Sequence, residues 1–479
     1  MPVRRPSGAP TSRAALAAAG VVASLVVVLA PAAGTPLARS ASVPAPPAVP
    51  TVVLPPVSVT SDSTPAPSVP PGADAALVAR VEAALRSATL GPDVTASVID
   101  VASGTVLLSR GEDRAQQPAS TLKTLTAVSV LKASGPQARL RTTVMAGPRP
   151  GDLVLVGAGD ATLTRVPAPP AAAPAGQSAR PASLAELAAR TVAALRRAGT
   201  TTVTLRVDDS LFSGPRLAPG WPTSYVTTGI VSPVSALSVD SGKVSAGSRA
   251  RDSDPALAAG TFFAARLRAS GITVAGNVTR AVVPGSATEL AAVQSPTLAE
   301  LVERALTASD NDLAEALAHL AGRATGHGGS FAGGAAAVND TLAALGIPAD
   351  GLRVVDGSGL SRLDLVPAGV ISRALLAASL DRPDLGSRAG SFWPVTSGLP
   401  VAGVTGTLAD RFDTAGTAEG RGVVRAKTGT LTGVVSLAGV VRDRAGRLLV
   451  FGFVADQSPG PLLDAQAALD RAATALAAS

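Results

Sequence analysis

Cysteine is absent from this 479-residue chain, histidine occurs twice, and lysine occurs only at Lys123, Lys132, Lys243 and Lys427. Without cysteine there is no disulfide, no thiol nucleophile and no Cys-ligated metal. The two histidines, His319 and His327, are too few for most imidazole metal sites and give a histidine-based triad no support. Aromatic residues make up 2% of the chain, so a core must come mostly from Val, Leu and Ala. The net charge of +7 comes from Arg scattered along the chain, without basic runs interleaved with aromatics. That pattern argues against a nucleic-acid partner and supports at most a mild attraction to anionic wall polymers or lipid headgroups. The Gly-rich stretch 326–334 has no lysine and follows no strand, which argues against a phosphate loop.

Long apolar runs are scarce as well. Residues 14–30 form one, preceded by Arg4, Arg5 and Arg13 and followed by small residues, as in an export signal. The run is about long enough to span a bilayer, so residues 1–33 read either as a signal cleaved near Ala30-Pro31-Ala32 or as a retained membrane anchor. Everything after residue 40 is then expected outside the cytoplasm. Residues 34–72 are rich in Pro, Ala, Val and Ser and read as an extended linker.

Helical spacing begins with Ala76, Leu77, Val81, Ala84 and Leu85. Strands are expected at 94–101 and 105–109, leading into a helix that starts at Ser120. The character changes over 143–290, with strands at 152–156 and 202–207, a helix at 184–197, and a Pro/Ala-rich stretch at 165–181 expected to lack regular structure. Helices resume from Thr297, at 298–306, 313–321, 331–345 and 368–380. A hairpin of 434–441 and 448–455 follows, then an amphipathic helix at 462–477. Strands at both ends with helices between them predict a mixed α/β domain, built from 73–142 and 291–479 around one sheet of distant segments. Residues 143–290 would be an inserted accessory subdomain.

Two of the four lysines fall in short boxes that carry chemistry. Ser120-Thr-Leu-Lys123 sets a hydroxyl and an amine one helical turn apart, if Ser120 lies in the first turn. A serine hydroxyl needs a base, and a buried lysine beside a second cation is pushed towards the neutral amine that can act as one. Lys427 is the expected second cation. Alone, the box reads more readily as a capping serine with a solvated lysine one turn on. Ser309-Asp310-Asn311 falls between two helical stretches, where Ser309 could relay a proton and Asn311 could bond a substrate amide; alone it is a common helix cap. Lys427-Thr428-Gly429-Thr430 runs into the hairpin and is expected on an edge strand. There Gly429 would let a substrate backbone approach, while Lys427 and Thr428 hold a carboxylate. Asp356-Gly-Ser358-Gly lacks the Gly-x-Ser-x-Gly elbow and reads as a tight loop.

These boxes occur in order, with Pro118-Ala-Ser-Thr-Leu-Lys123, Gly157-Ala-Gly-Asp160, Asp356-Gly-Ser-Gly-Leu-Ser-Arg362, Gly403-Val-Thr-Gly-Thr-Leu408 and Arg425-Ala-Lys-Thr-Gly-Thr430. The combination resembles the S13 peptidases, D-alanyl-D-alanine carboxypeptidases/endopeptidases of the penicillin-binding protein 4 type, over residues 73–479. With the high-GC character of the composition, the resemblance points to an actinobacterial source. It implies the serine β-lactamase/penicillin-binding transpeptidase fold, peptidoglycan stem peptides and β-lactams as partners, and no metal or organic cofactor. It further implies Ser120 as nucleophile, Lys123 as its base and Ser309 as proton relay to the leaving D-alanine. Asn311 would contact the acyl side, Lys427 with Thr428 the terminal carboxylate, and the N–H groups of Ser120 and Thr430 would form the oxyanion hole. Two features depart from the pattern: the separation between Lys123 and Ser309 is shorter than in well-known members, and Asp364 stands where the family has Asn. A β-lactamase and a penicillin-binding sensor or wall-binding module without turnover remain the alternatives.

Overall fold

The computed structural model describes residues 72–167, 180–380 and 392–479. The expected signal, the linker up to residue 71 and residues 168–179 of the Pro/Ala-rich stretch lie outside the described residues.

The chain begins with α1 (Ala73–Leu85), β1 (Val94–Asp100), β2 (Val106–Arg110), β3 (Ala115–Gln116) and α2 (Lys123–Ser134). It continues through β4 (Arg139–Ala146), β5 (Asp152–Val156), α3 (Leu184–Arg197), β6 (Thr202–Asp208), α4 (Ser224–Thr227), α5 (Pro255–Ala269), β7 (Thr273–Arg280) and β8 (Thr288–Thr297). Helices follow as α6 (Leu298–Thr307), α7 (Asn311–Ala324) and α8 (Phe331–Ala344), then β9 (Val366–Pro367), α9 (Ala368–Ser379) and α10 (Trp393–Ser397). The last elements are β10 (Arg425–Leu431), β11 (Val434–Arg442), β12 (Leu448–Ala455) and α11 (Leu462–Ala477).

β1 and β2 join the C-terminal strands in one antiparallel sheet of order β10-β11-β12-β1-β2. The near-continuous apolar runs of β11 and β12 follow from burial on both faces. Leu437, Phe451 and Phe453 belong to the core shared with α1 and α11, whereas Val440, Val450 and Val454 belong to the core shared with α2, α6, α7 and α9. The sheet ends in β10, whose outer edge is bridged by Val401 at Arg425 and pairs with no other strand among the described residues.

A second sheet, of order β7-β6-β5-β4-β8, has its own core around Leu153, Leu187, Val203, Leu205 and Phe263. β5, β6 and β7 run parallel, with α3 and α5 as the crossovers such pairing requires, while β4 pairs antiparallel with both β5 and β8. α3 and α5 start where Ser183 and Asp254 cap the amides of Glu186 and Leu257. This sheet occupies 139–297 because β4 and β8 belong to it along their whole length. β8 runs up to Thr297, which forms a capping box with Glu300 and starts α6. Entry and exit lie side by side, since Leu298 and Ala299 donate to the carbonyls of Ala138 and Pro136 at 2.8 and 2.9 Å. Among the described residues no helix is long and apolar enough to cross a membrane.

Candidate active site

Ser120 lies in a 3₁₀ turn, Ala119–Leu122, and the α-helix begins only at Lys123. The expectation of Ser120 in an α-helical first turn is thereby corrected, although in 3₁₀ geometry residues three apart still lie over one another. Two neighbours bend the chain here. Ala119 adopts φ 46°, a left-handed conformation that strains a non-glycine residue. A Cβ on Gly359 would lie 1.9 Å from the Ala119 carbonyl oxygen, and one on Gly429 would lie 2.7 Å from the Pro118 oxygen. The turn is thus packed between the 356–361 loop and β10. Ser436 Oγ fixes it further by donating to the Pro118 carbonyl at 2.6 Å.

Lys123 is 1% exposed. Its Nζ lies 2.9 Å from Ser120 Oγ, 2.8 Å from Asn311 Oδ1 and 2.7 Å from the Ser358 carbonyl oxygen. The last two can only accept, so a neutral amine would spend its two N–H bonds on them and turn its lone pair to Ser120. Burial lowers the pKa of Lys123 to about 8, with Asp356, Glu315, Asp310 and Asp312 opposing the shift. The expected like-charge effect operates chiefly in the other direction: Lys427 is driven well below the usual lysine range by burial first, then by the charges of Lys123 and Arg411.

Ser309, between α6 and α7, holds φ 53°. Asp310 caps α7 by accepting from the Leu313 amide at 3.0 Å, which places Asn311 at the first helical position beside Lys123. Lys427, on β10, donates to Ser309 Oγ at 2.9 Å and to the Thr428 carbonyl at 2.8 Å. The three boxes therefore converge as two serine–lysine pairs. Lys427 is 0% exposed and stands behind Ser309, so it does not present an open cation to a ligand. Gly429 is also buried, and the space a Cβ would need is taken by Ser436 Oγ at 2.0 Å and the Pro118 oxygen. Its glycine is required by the serine-bearing turn, which corrects the expectation that it admits a substrate backbone.

Thr430 is exposed and lines a cavity of about 650 Å³ with Ser120, Ser309, Asn311 and Tyr225. An adjoining cavity of about 450 Å³ is lined by Ser120, Ser309, Thr407, Arg411, Thr428 and Thr430. Thr407 and Thr428 share a hydrogen bond of 2.8 Å between their hydroxyls. Arg411 is held by Asp470 through contacts of 3.1 and 2.6 Å. This arginine lies outside the boxes, three residues beyond Leu408, and nothing in the spacing of the sequence singles it out.

The 356–361 loop presents the Ser358 carbonyl to Lys123 through buried acids. Glu315 on α7 accepts from the amides of Gly357 and Ser358 at 2.9 and 2.8 Å, and Asp356 accepts from those of Gly359 and Ser361 at 2.6 and 2.7 Å. Burial, then the charge of Asp356, pushes Glu315 up to about 8. Asp364 is 0% exposed; its Oδ1 accepts from the Val355 amide at 2.7 Å, while its buried Oδ2 has no hydrogen-bond partner among the described residues. Burial, then the charge of Asp356, drives Asp364 well above the carboxylate range and favours its neutral acid form. Among the described residues no group of three or more metal-ligating side chains comes together.

The pattern that defines the D-Ala-D-Ala carboxypeptidase 3 (S13) family matches residues 77–252 and 245–476. A carboxypeptidase of Mycobacterium tuberculosis is 37% identical over 443 residues, covering 90% of this chain and 89% of its own. Carboxypeptidase DacB of Mycolicibacterium smegmatis is 35% identical over 406 residues, covering 81% and 83%. The crystal structure of penicillin binding protein 4 from Haemophilus influenzae shares the fold, with a TM-score of 0.66 and 23% identity over 82% of this chain and 97% of that one. With its boxes in order and the family pattern matched over most of its length, the chain belongs to the D-Ala-D-Ala carboxypeptidase 3 (S13) family.

Proposed function

We propose that the chain is a serine-type D-Ala-D-Ala carboxypeptidase that trims peptidoglycan stem peptides through an acyl-enzyme on Ser120, and that β-lactams acylate the same oxygen. The observation that carries this reading is the Lys123 amine, 2.9 Å from Ser120 Oγ with two pure acceptors as its other partners.

Ser120 Oγ bonds to the carbonyl carbon of the penultimate D-alanine while its proton passes to Nζ of Lys123. The N–H groups of Ser120 and Thr430 receive the oxyanion, where loss of one such donor costs on the order of 10²–10³ in rate. Ser309, held by Lys427, gives its proton to the leaving nitrogen and takes up in its place the one that Lys123 carries, as the C–N bond breaks and free D-alanine departs. Water then gives a proton to Lys123 as its oxygen bonds to the ester carbonyl carbon, the C–Oγ bond breaks, the proton returns to Ser120, and the shortened peptide leaves as its acid. Asn311 contacts the acyl side, while Thr428 and Thr430 receive the terminal carboxylate at the outer edge of β10. Cleavage of a cross-link would use the same steps with a longer leaving group. The apolar run at 14–30 supports export, with residues 34–72 as a spacer to the cell envelope and membrane attachment if the run is retained.

The test combines penicillin labelling mapped by mass spectrometry with D-alanine release from a D-Ala-D-Ala peptide. The expected result is one adduct on Ser120, none on Ser120→Ala, and catalytic D-alanine release. Fast release of hydrolysed penicillin without D-alanine would identify a β-lactamase. A lasting adduct without D-alanine release would identify a sensor.

A further inference from the structure

The second sheet's segment 229–251 reaches the first turn of α7. Ile230 and Ser232, two residues apart, both meet it through their backbone groups. The Ile230 carbonyl accepts from Asn311 Nδ2 at 3.0 Å, and the Ser232 amide donates to Asp312 Oδ1 at 2.7 Å. The segment is folded tightly on itself, since a Cβ on Gly229 would lie 2.2 Å from the Arg249 oxygen and one on Gly242 would lie 2.0 Å from Ser232 Oγ. Arg251 ties it together. Its side chain, 8% exposed, pairs with Asp312 Oδ2 at 3.2 Å and donates to the carbonyls of Gly229, at 3.0 Å, and Ser241.

Asn311 offers one accepting and one donating end, and its two protein partners differ in kind. The Ile230 carbonyl can only accept, so it takes the NH₂ end and leaves Oδ1 to face Lys123. We infer that the inserted domain acts as a clamp: through Ile230, Ser232 and Arg251 it fixes the Asn311 carboxamide with Oδ1 towards Lys123, and so aims the lysine lone pair at Ser120. The inference rests on the Lys123 base proposed above, and it makes Arg251 a positioning residue. Without the clamp the carboxamide is free to rotate and present its NH₂ to Nζ, and the amine then loses one of the acceptors that orient it.

The acid limb of acylation provides a readout that loosened packing would not reproduce. Below about 8 Lys123 takes up a proton and ceases to be a base, so the wild-type rate falls as the pH drops through that value. The charged groups around the amine are Asp356, Glu315, Asp310 and Asp312, and Lys427 feels its charge. Turning Asn311 removes an acceptor from the ammonium form, lowers the lysine pKa further and moves the limb to lower pH. Loosened packing that admits water relieves burial and moves the limb to higher pH.

Penicillin acylation is measured from pH 5 to 10, with thermal melting, for full-length wild type, Arg251→Met, Arg251→Lys and Asp312→Asn. Asp312→Asn keeps an acceptor for the Ser232 amide and guards against failure of the methionine variant to fold. We expect a fall of roughly tenfold or more in the saturating acylation rate for Arg251→Met, an apparent Kd within twofold, a limb at lower pH, and partial recovery in Arg251→Lys. Asp312→Asn should show a smaller fall in rate at an unchanged Kd; its limb moves to lower pH in any case, because the substitution removes a negative charge that raises the Lys123 pKa, so only its rate bears on the clamp. A folded variant with wild-type rate, or a limb moved to higher pH, overturns the clamp while leaving the carboxypeptidase reading intact. Failure of the wild type itself to be acylated removes the reading beneath it.

Discussion

Lys123 and Lys427 are the same residue in two different surroundings, and the surroundings decide what each can do. Lys123 has a hydroxyl and two acceptors about its amine; Lys427 has Ser309 Oγ and the Thr428 carbonyl, and neither lysine reaches open solvent. Lys123→Arg should abolish acylation, because a guanidinium stays protonated and cannot take the Ser120 proton. Lys427→Arg must fit a larger, planar cation into a filled space, which costs about 1–3 kcal/mol in overpacking and breaks the contact to Ser309. Since Lys427 stands behind Ser309, its loss should lower acylation by a D-Ala-D-Ala peptide and by the C-terminal amide of that peptide by the same factor. Comparing the two acylation rates tests this. A loss confined to the free acid would restore Lys427 as the carboxylate anchor that sequence alone suggests.

At the scale of elements, periodicity and punctuation carried much of the fold. The helix over 462–477, the hairpin strands and the strand starting at Val94 stand where their patterns place them. The Lys-Thr-Gly box stands on the edge strand, as its place before the hairpin suggests. What the sequence could not display were contacts made by backbone groups and by residues distant in the chain. Nothing local marks the Ile230 carbonyl as the partner of Asn311, or Glu315 as the anchor of the Ser358 turn. Gly429 shows a packing reason that the sequence does not display. Its missing side chain makes room for the serine turn, so Gly429→Ala would force a Cβ against the Pro118 oxygen and Ser436 Oγ. Ser436 can rotate away only by giving up its bond to Pro118, and the carbonyl cannot retreat without moving Ser120. Acylation should fall on the order of 10²-fold, as for a nucleophile displaced by about an ångström. The outcome that counts against this packing role is an unchanged acylation rate with a weaker Kd.

For the whole molecule, the two sheets have separate cores, yet the chemistry depends on both, because the segment that holds Asn311 lies in the insertion. That dependence need not extend to every connection. The stretch 165–181, rich in Pro and Ala, is by its composition the expected site of a first proteolytic cut. The chain on either side is closed at its base: the amides of Thr164 and Leu184 bond to the carbonyls of Ala182 and Thr164 at 2.9 and 2.8 Å, and Ala185 donates to the Arg165 carbonyl at 3.0 Å. Beyond them β5 pairs in parallel with β6 over Asp152 to Val156, so the pieces before and after a cut share a sheet and a core. Every residue of the clamp, from Ile230 to Arg251, stays on one piece with α7. A preparation nicked between residues 168 and 179 should therefore co-purify as one particle and be acylated by labelled penicillin at a rate within twofold of the intact chain. Dissociation of the fragments would mean that the parallel pair does not hold the insertion together. Loss of labelling in a particle that stays associated would mean that the connection itself, and not the clamp alone, transmits the insertion's hold on the site.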